Sequence, residues 1–218
     1  VTGGTVSKYD TVIRSNLIED CPVFMGAVGV PAGTRALPVK IPRVTAREVD
    51  YVGRHPGTNV VYHVEFQSGN DPLMSARMLV YTALIGERVL KDDIAKARMR
   101  DRRLRAAPPF PDVRSTLVYV GSDTFNMASR IRTHALSYDY AALDVRTIDA
   151  ERLLVSEGVG DAVFAILCRE GTKPDKVRRI LARLKGLDQD VVDRAYGSLL
   201  LLAELRRASD VLKKETTA

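Results

Sequence analysis

The stretch Tyr62-His63-Val64-Glu65-Phe66-Gln67-Ser68-Gly69-Asn70-Asp71-Pro72 constrains the chain most, because it reads as a strand that ends in a turn and gives way to a helix. Side chains alternate along a strand, so Val60, Tyr62, Val64 and Phe66 share one face and Val61, His63, Glu65 and Gln67 the other. A carboxylate and a carboxamide therefore stand together on an otherwise apolar element. Asp71 followed by Pro72 is a helix start, an N-cap acceptor before a residue preset for the first turn. Upstream, Glu48-Val49-Asp50-Tyr51-Val52 offers a second short strand, and the turn residues His55-Pro56-Gly57-Thr58 predict a hairpin between the two. Such a hairpin would let Asp50 and Glu65 meet, and two nearby carboxylates are what a divalent cation wants.

The surrounding pattern predicts an α/β chain. Asp10 to about Asp20 reads as a helix ended by Cys21-Pro22, and Gly26 to Gly33 as a loop. Strands are expected over Leu37 to Val44, Arg47 to Gly53 and Asn59 to Ser68. The helix opened by Asp71 is expected to reach about Ile85, with Met74, Met78, Tyr81 and Ile85 as its apolar stripe. A separate arginine-rich helix is expected over Lys91 to Arg105, broken by Ala106-Ala107-Pro108-Pro109-Phe110-Pro111. Thr116-Leu117-Val118-Tyr119-Val120 is a continuous apolar run, as in a central strand buried on both faces, and Tyr138 to Ile148 is a further strand candidate. From Glu151 onward the pattern is helical, through Ala162 to Arg169, Pro174 to Lys185 and Val191 to Lys213. A mixed sheet flanked by helices follows, with residues 1–150 as its core and 151–218 as a helical C-terminal extension on or beside it.

Charge and composition narrow the function classes. The 218 residues are 45% hydrophobic and 28% charged, which is globular rather than disordered. A net charge of +6 and a pI near 9.4 fit a polyanionic partner without demanding one. Cys21 and Cys168 lie far apart, without a second Cys or a His at ligand spacing, so they read as free thiols in a reducing compartment and argue against zinc. No apolar run approaches the ~20 residues that cross a bilayer, and Val1-Thr2-Gly3-Gly4-Thr5 lacks the layout of a signal peptide, so a cytoplasmic protein with no membrane partner is expected. There is no Gly-x-Gly-x-x-Gly or Walker motif for a nucleotide cofactor, and neither Ser68 nor Ser75 has the setting of an activated nucleophile.

Asp50, then Glu65-Phe66-Gln67, then a helix opening Asp71-Pro72-Leu73-Met74 and containing Arg77-Met78-Leu79-Val80-Tyr81, resembles the PD-(D/E)xK nuclease superfamily. Within it the chain looks most like the recombination-promoting nuclease and transposase-like family, whose strand motif reads Glu-x-Gln where most relatives have Glu-x-Lys. Tyr9-Asp10-Thr11-Val12-Ile13-Arg14 is similar to that family's opening helix, Thr116 to Gly121 to its next core strand, and Tyr138 to Leu154 to its continuation into a helical C-terminus, so the resemblance spans about residues 8 to 210. It implies a restriction-endonuclease-like mixed central sheet and Mg²⁺-dependent hydrolysis of DNA phosphodiesters, linked to recombination or mobile elements. Asp50 and Glu65 would be the metal-binding carboxylates, the backbone carbonyl of Phe66 would complete the protein's ligands, and Mn²⁺ would substitute for Mg²⁺. Gln67 would stand where a lysine usually orients the attacking water; a carboxamide can hydrogen-bond that water but supplies no positive charge.

Other positions carry two readings each. Asp10 matches the family's acidic helix position loosely and either holds a second metal or caps its helix. Arg77 either reaches a phosphate or forms an ion pair with Glu65, Asp50 or Asp71. Arg98, Arg102 and Arg103, with Arg100 and Arg105, are spread around their helix and serve either solvation or DNA-backbone contact; Lys173, Lys176, Arg178, Arg179 and Arg183 allow the same pair of readings. His63 shares the face of Glu65, yet a lone strand histidine is more often structural, so it stays outside the expected site. His55 and His134 are isolated. The leading expectation is a Mg²⁺-dependent DNA endonuclease. The alternative is a catalytically weak or inactive nucleic-acid-binding or regulatory protein on the same scaffold, whose helical C-terminus would mediate homodimerisation or a partner contact. An oligomerisation or toxin-like module of mobile elements rests on the resemblance alone.

Overall fold

The computed structural model of the chain describes residues 20–36, 40–41, 47–100 and 108–217. In chain order these form α1 (Pro22–Ala27), β1 (Arg35–Ala36), β2 (Lys40–Ile41), β3 (Arg47–Glu48), β4 (Tyr51–Arg54), β5 (Val60–Gln67), α2 (Met74–Arg100), β6 (Asp112–Tyr119), β7 (Arg130–Arg132), β8 (Ser137–Asp139) and β9 (Ala141–Asp144). A 3-10 turn at Val145–Thr147 leads to α3 (Ala150–Leu154) and α4 (Val159–Phe164). A second 3-10 turn at Ala165–Leu167 precedes α5 (Pro174–Leu184), α6 (Gln189–Leu205) and α7 (Ser209–Thr216).

Five strands make one mixed sheet in the order β1-β4-β5-β6-β9. Gly57, at φ 73°, closes the turn that the sequence predicts, and β4 runs antiparallel to β5 from Tyr51 opposite Val64 to Arg54 opposite Val61. Strand β5 then pairs in parallel with β6, from Val60 opposite Asp112 to Gln67 opposite Tyr119, and β6 pairs in parallel with β9. The connection from β5 to β6 is α2, the crossover that a parallel pair requires.

Both faces of the central strands are covered. Tyr62, Val64, Phe66, Val118 and Val120 join Phe24, Leu153, Phe164, Ile180, Leu199 and Leu212 in the larger apolar cluster. Residues beyond 150 thus share a core with the sheet. On the opposite face Val52 and Val61 pack on Tyr81, Ile85 and Val89, while Leu117 and Tyr119 pack on Met74 and Met78. The expected stripe Met74, Met78, Tyr81 and Ile85 is at most 1% exposed. Burying side chains such as Met78 and Ile85 stabilises by about 1.5–3 kcal/mol each. Leu117, Val118, Tyr119 and Val120 are fully buried, as a central strand requires.

Several boundaries differ from expectation. Pro22, expected to end a helix, opens one, and α1 takes Gly26 and Ala27 out of the expected loop. The two helices expected over 71–85 and 91–105 are one helix through Arg100, because Val89 continues the buried stripe and Glu87–Lys91 and Arg88–Asp92 ion pairs bridge the join. The strand expected over 47–53 is interrupted at Val49–Asp50, leaving β3 and β4. The strand expected over 138–148 is split into β8 and β9 and stops at Asp144, whose carboxylate accepts from the Arg146 amide and starts the 3-10 turn. Helix 162–169 starts earlier and ends in a 3-10 turn, and helix 191–213 is α6 and α7, parted at Arg207 with φ 54°. The break suits Arg206, whose guanidinium reaches back to the carbonyls of Leu167 and Gly121. Cys21 and Cys168 are buried free thiols. Of the strand expected over 37–44 only β2 is described. The helix expected over 10–20, with Asp10, and the arginines Arg102 and Arg103 lie outside the described residues.

Candidate functional site

Antiparallel pairing brings Asp50 and Glu65 together. The β4–β5 ladder ends with Tyr51 opposite Val64, so one further step sets Asp50 opposite Glu65, on the face shared with Val52 and His63. Asp50 sits in a bend beyond the end of β4, and there the side chains take over from the ladder. Asp50 Oδ2 accepts the Phe66 amide at 2.8 Å, and Glu65 Oε1 accepts the Asp50 amide at 3.1 Å. Each carboxylate thus binds the backbone beside the other. In an extended strand a residue's N–H and C=O point to the same side, so the Phe66 carbonyl lies on the edge where the Asp50 carboxylate stands. The Gln67 carbonyl faces the other way and accepts the Val120 amide at 2.9 Å.

Burial separates the polar residues of this strand. Glu65 is 3% exposed, whereas Asp50 and Gln67 are half-buried, Gln67 as the last residue of β5. The sequence reading leaves His63 outside the site, as a strand histidine that is more often structural. His63 is fully buried and its Nε2 lies 3.0 Å from Glu65 Oε1, which therefore carries two contacts. Its period-2 position places it beside Glu65, whereas its other partner, Ser115, stands on the next strand, which no local pattern reveals.

Arg77 lies one turn into α2, and of its alternatives the structure has the ion pair with Asp71, at 2.7 Å. Asp71 also accepts the Leu73 amide through Oδ1 at 2.8 Å, so it anchors the helix entry as the Asp-Pro start predicts. Burial lowers the Arg77 pKa, but hydrogen bonds with Asp71 and Tyr81 and the negative charge of Glu65 outweigh it, and the net shift is upward. The guanidinium stays charged beside the carboxylates, with its Nε buried and without a hydrogen-bond partner. Arg98 is exposed and stands about 30 Å along α2 from Arg77 at 1.5 Å per residue. The basic residues of α5 and the loop before it are engaged internally. Lys176 and Arg179 pair with Glu151, Arg178 with Glu215, Lys173 with Glu170, and Arg183 donates to the Ser156 carbonyl.

Chemically, the arrangement offers hard oxygen donors: two carboxylates and a main-chain carbonyl at the end of β5. That set suits Mg²⁺ or Mn²⁺, which keep several waters, and it does not suit zinc. Among the described residues, no group of three or more His, Cys, Asp or Glu side chains gathers to hold a metal, so water would complete any coordination here. No helix among the described residues is long and apolar enough to cross a membrane. Comparison with protein-family models, curated proteins and solved structures finds no match to this chain.

Proposed function

We propose that this chain is a Mg²⁺-dependent DNA endonuclease of the PD-(D/E)xK type, hydrolysing phosphodiester bonds on a restriction-endonuclease-like core. The observation that carries the reading is the clasp of Asp50 and Glu65 across the end of the β4–β5 ladder, with the Phe66 backbone between them. Asp50, Glu65 and the Phe66 carbonyl would hold Mg²⁺, or Mn²⁺ in its place. The bound ion would supply charge neutralisation at the scissile phosphate and a lower pKa for the attacking water. Gln67, half-buried at the strand end, would hydrogen-bond and orient that water. Arg77 adds fixed positive charge beside Glu65. Arg98, Arg102 and Arg103 would neutralise DNA phosphates irrespective of base sequence. The excess of 33 basic over 27 acidic side chains supports an anionic partner.

A second reading, a nucleic-acid-binding protein with little or no cleavage, is favoured by Gln67, which brings no cation to the site, and by the near-complete burial of Glu65.

Calorimetric titration with Mn²⁺ tests the ligand set. Asn at position 50 and Gln at position 65 keep an oxygen for the Phe66 and Asp50 amides, so Asp50→Asn and Glu65→Gln remove charge while preserving the clasp. Wild type is expected to bind Mn²⁺, and either variant to bind it at least about 10-fold more weakly. Equal binding by all three folded proteins would sink the assignment. Retardation of DNA that survives without added metal, and that falls with salt and with replacement of Arg98, Arg102 and Arg103, would favour the second reading.

A further inference from the structure

The nearly sealed Glu65 does not end in apolar packing but in a chain of polar groups that starts in the core and reaches the half-buried Thr82 and Tyr138. His63 Nε2 is 3.0 Å from Glu65 Oε1, and His63 Nδ1 is 3.1 Å from Ser115 Oγ. Ser115 Oγ is 2.7 Å from Thr82 Oγ1, which is 2.8 Å from the Tyr138 hydroxyl. Four elements contribute: β5, β6, α2 and β8. The imidazole plane is held by Tyr81, whose ring meets it edge-on at 88° with centroids 5.7 Å apart.

The direction of each hydrogen bond follows from the Glu65 end. Oε1 already accepts the Asp50 amide at 3.1 Å, and the same oxygen is the natural acceptor in its 3.0 Å contact with His63 Nε2. In the neutral ring Nε2 then carries the proton and Nδ1 accepts from Ser115. Ser115, having donated, accepts from Thr82, and Thr82 accepts from Tyr138. Burial raises the Tyr138 pKa more than its bonds with Thr82 and Ser115 lower it, so the phenol keeps the proton that starts the chain. Every donor points towards Glu65.

We infer that His63 is a positioning residue for Glu65, held as its Nε2–H tautomer by the Ser115–Thr82–Tyr138 hydroxyl chain so that Oε1 is pinned and the carboxylate is aimed at the metal position. This rests on the proposed metal role of Glu65. Partners that orient a metal ligand typically account for 10- to 100-fold in affinity.

The test has two independent arms. In the full chain with ¹⁵N-labelled imidazoles, nitrogen-edited NMR should show His63 with Nε2 protonated and Nδ1 bare; an Nδ1–H tautomer would overturn the proposal whether or not the protein cleaves DNA. In Mn²⁺ calorimetry, His63→Leu should weaken binding about 10- to 100-fold. His63→Gln, whose carboxamide can still donate to Oε1, should recover most of it. A folded His63→Leu protein that binds Mn²⁺ like wild type would also overturn the proposal, and if His63→Leu does not fold, a His63→Gln affinity as poor as that of Glu65→Gln would do so. Absence of Mn²⁺ binding by wild type would instead overturn the nuclease reading, and the tautomer would then decide whether the chain orders Glu65.

Discussion

At the scale of single residues, the sheet end that carries Gln67 is stitched by Asp144 and Arg146. Gln67 is in register with Tyr119, and Tyr119 with Asp144. The Arg146 guanidinium lies over the Tyr119 ring, binds Asp144 at 2.6 Å and donates to the carbonyls of Ser122 and Asp123. Burial pushes the Asp144 pKa up, but hydrogen bonds from Arg146 and the charges of Arg146 and Arg206 more than reverse this, so the folded-state pKa is below the ordinary value. A depressed carboxylate pKa stabilises the fold above the unfolded-state pKa of about 3.9, and that contribution is lost as pH falls through the lower folded value. Asp144→Asn should therefore cost about 1 kcal/mol at pH 7, discounted because Arg146 is one-third exposed to screening solvent. Urea unfolding at pH 7 and pH 3 should find the gap between wild type and variant shrinking in acid; a gap that widens would contradict the ion-pair account.

Among the elements, α1 and α4 cap one another. The amide of Gly160, near the start of α4, donates to Asp20, while the fully buried Asp161 accepts from the amides of Val23 and Phe24 at 3.0 Å each. Cys21, at the N-cap of α1, offers no side-chain bond, so Asp161 replaces it from across the core. Phe24 then lies 6.0 Å from the Phe66 ring and 4.1 Å from that of Phe164, which supports β5 from behind the candidate site. Asp161→Ala would leave two amides without their acceptor and should cost about 2–3 kcal/mol in urea unfolding; a loss under about 0.5 kcal/mol would deny the cap. None of this was legible in the sequence, because the acceptor and its amides are 137 and 138 residues apart. What was legible is local: the alternation of β5, the turn at Gly57, the Asp71 start and the Met74–Ile85 stripe all depend on neighbours in the chain. Helix ends were less legible: Pro22 opens a helix whose amides are capped by Asp161 from across the core, and past Ile85 the helix is held by Val89 packing near Val52 and Val61 as well as by its own ion pairs.

For the whole molecule, the mixed sheet puts the two hairpin carboxylates, the segment that leads into the crossover helix and the ends of the parallel strands at one end of the sheet. The pairing of Asp50 with Glu65 was readable because a hairpin relates its two strands by simple counting from the turn. The buried contacts of His63 were not, since one of them depends on Ser115 arriving on a parallel strand 52 residues later. The nuclease reading depends on what the Asp50–Glu65 pair does to DNA, and cleavage of supercoiled plasmid by the purified chain tests that most directly. The account predicts nicked or linear product with Mg²⁺ or Mn²⁺ and none with a chelator, with Asp50→Asn and Glu65→Gln each slower by about 100-fold or more while remaining folded. Plasmid left intact by the wild type with both metals, or cut equally well by wild type and both variants, would contradict it.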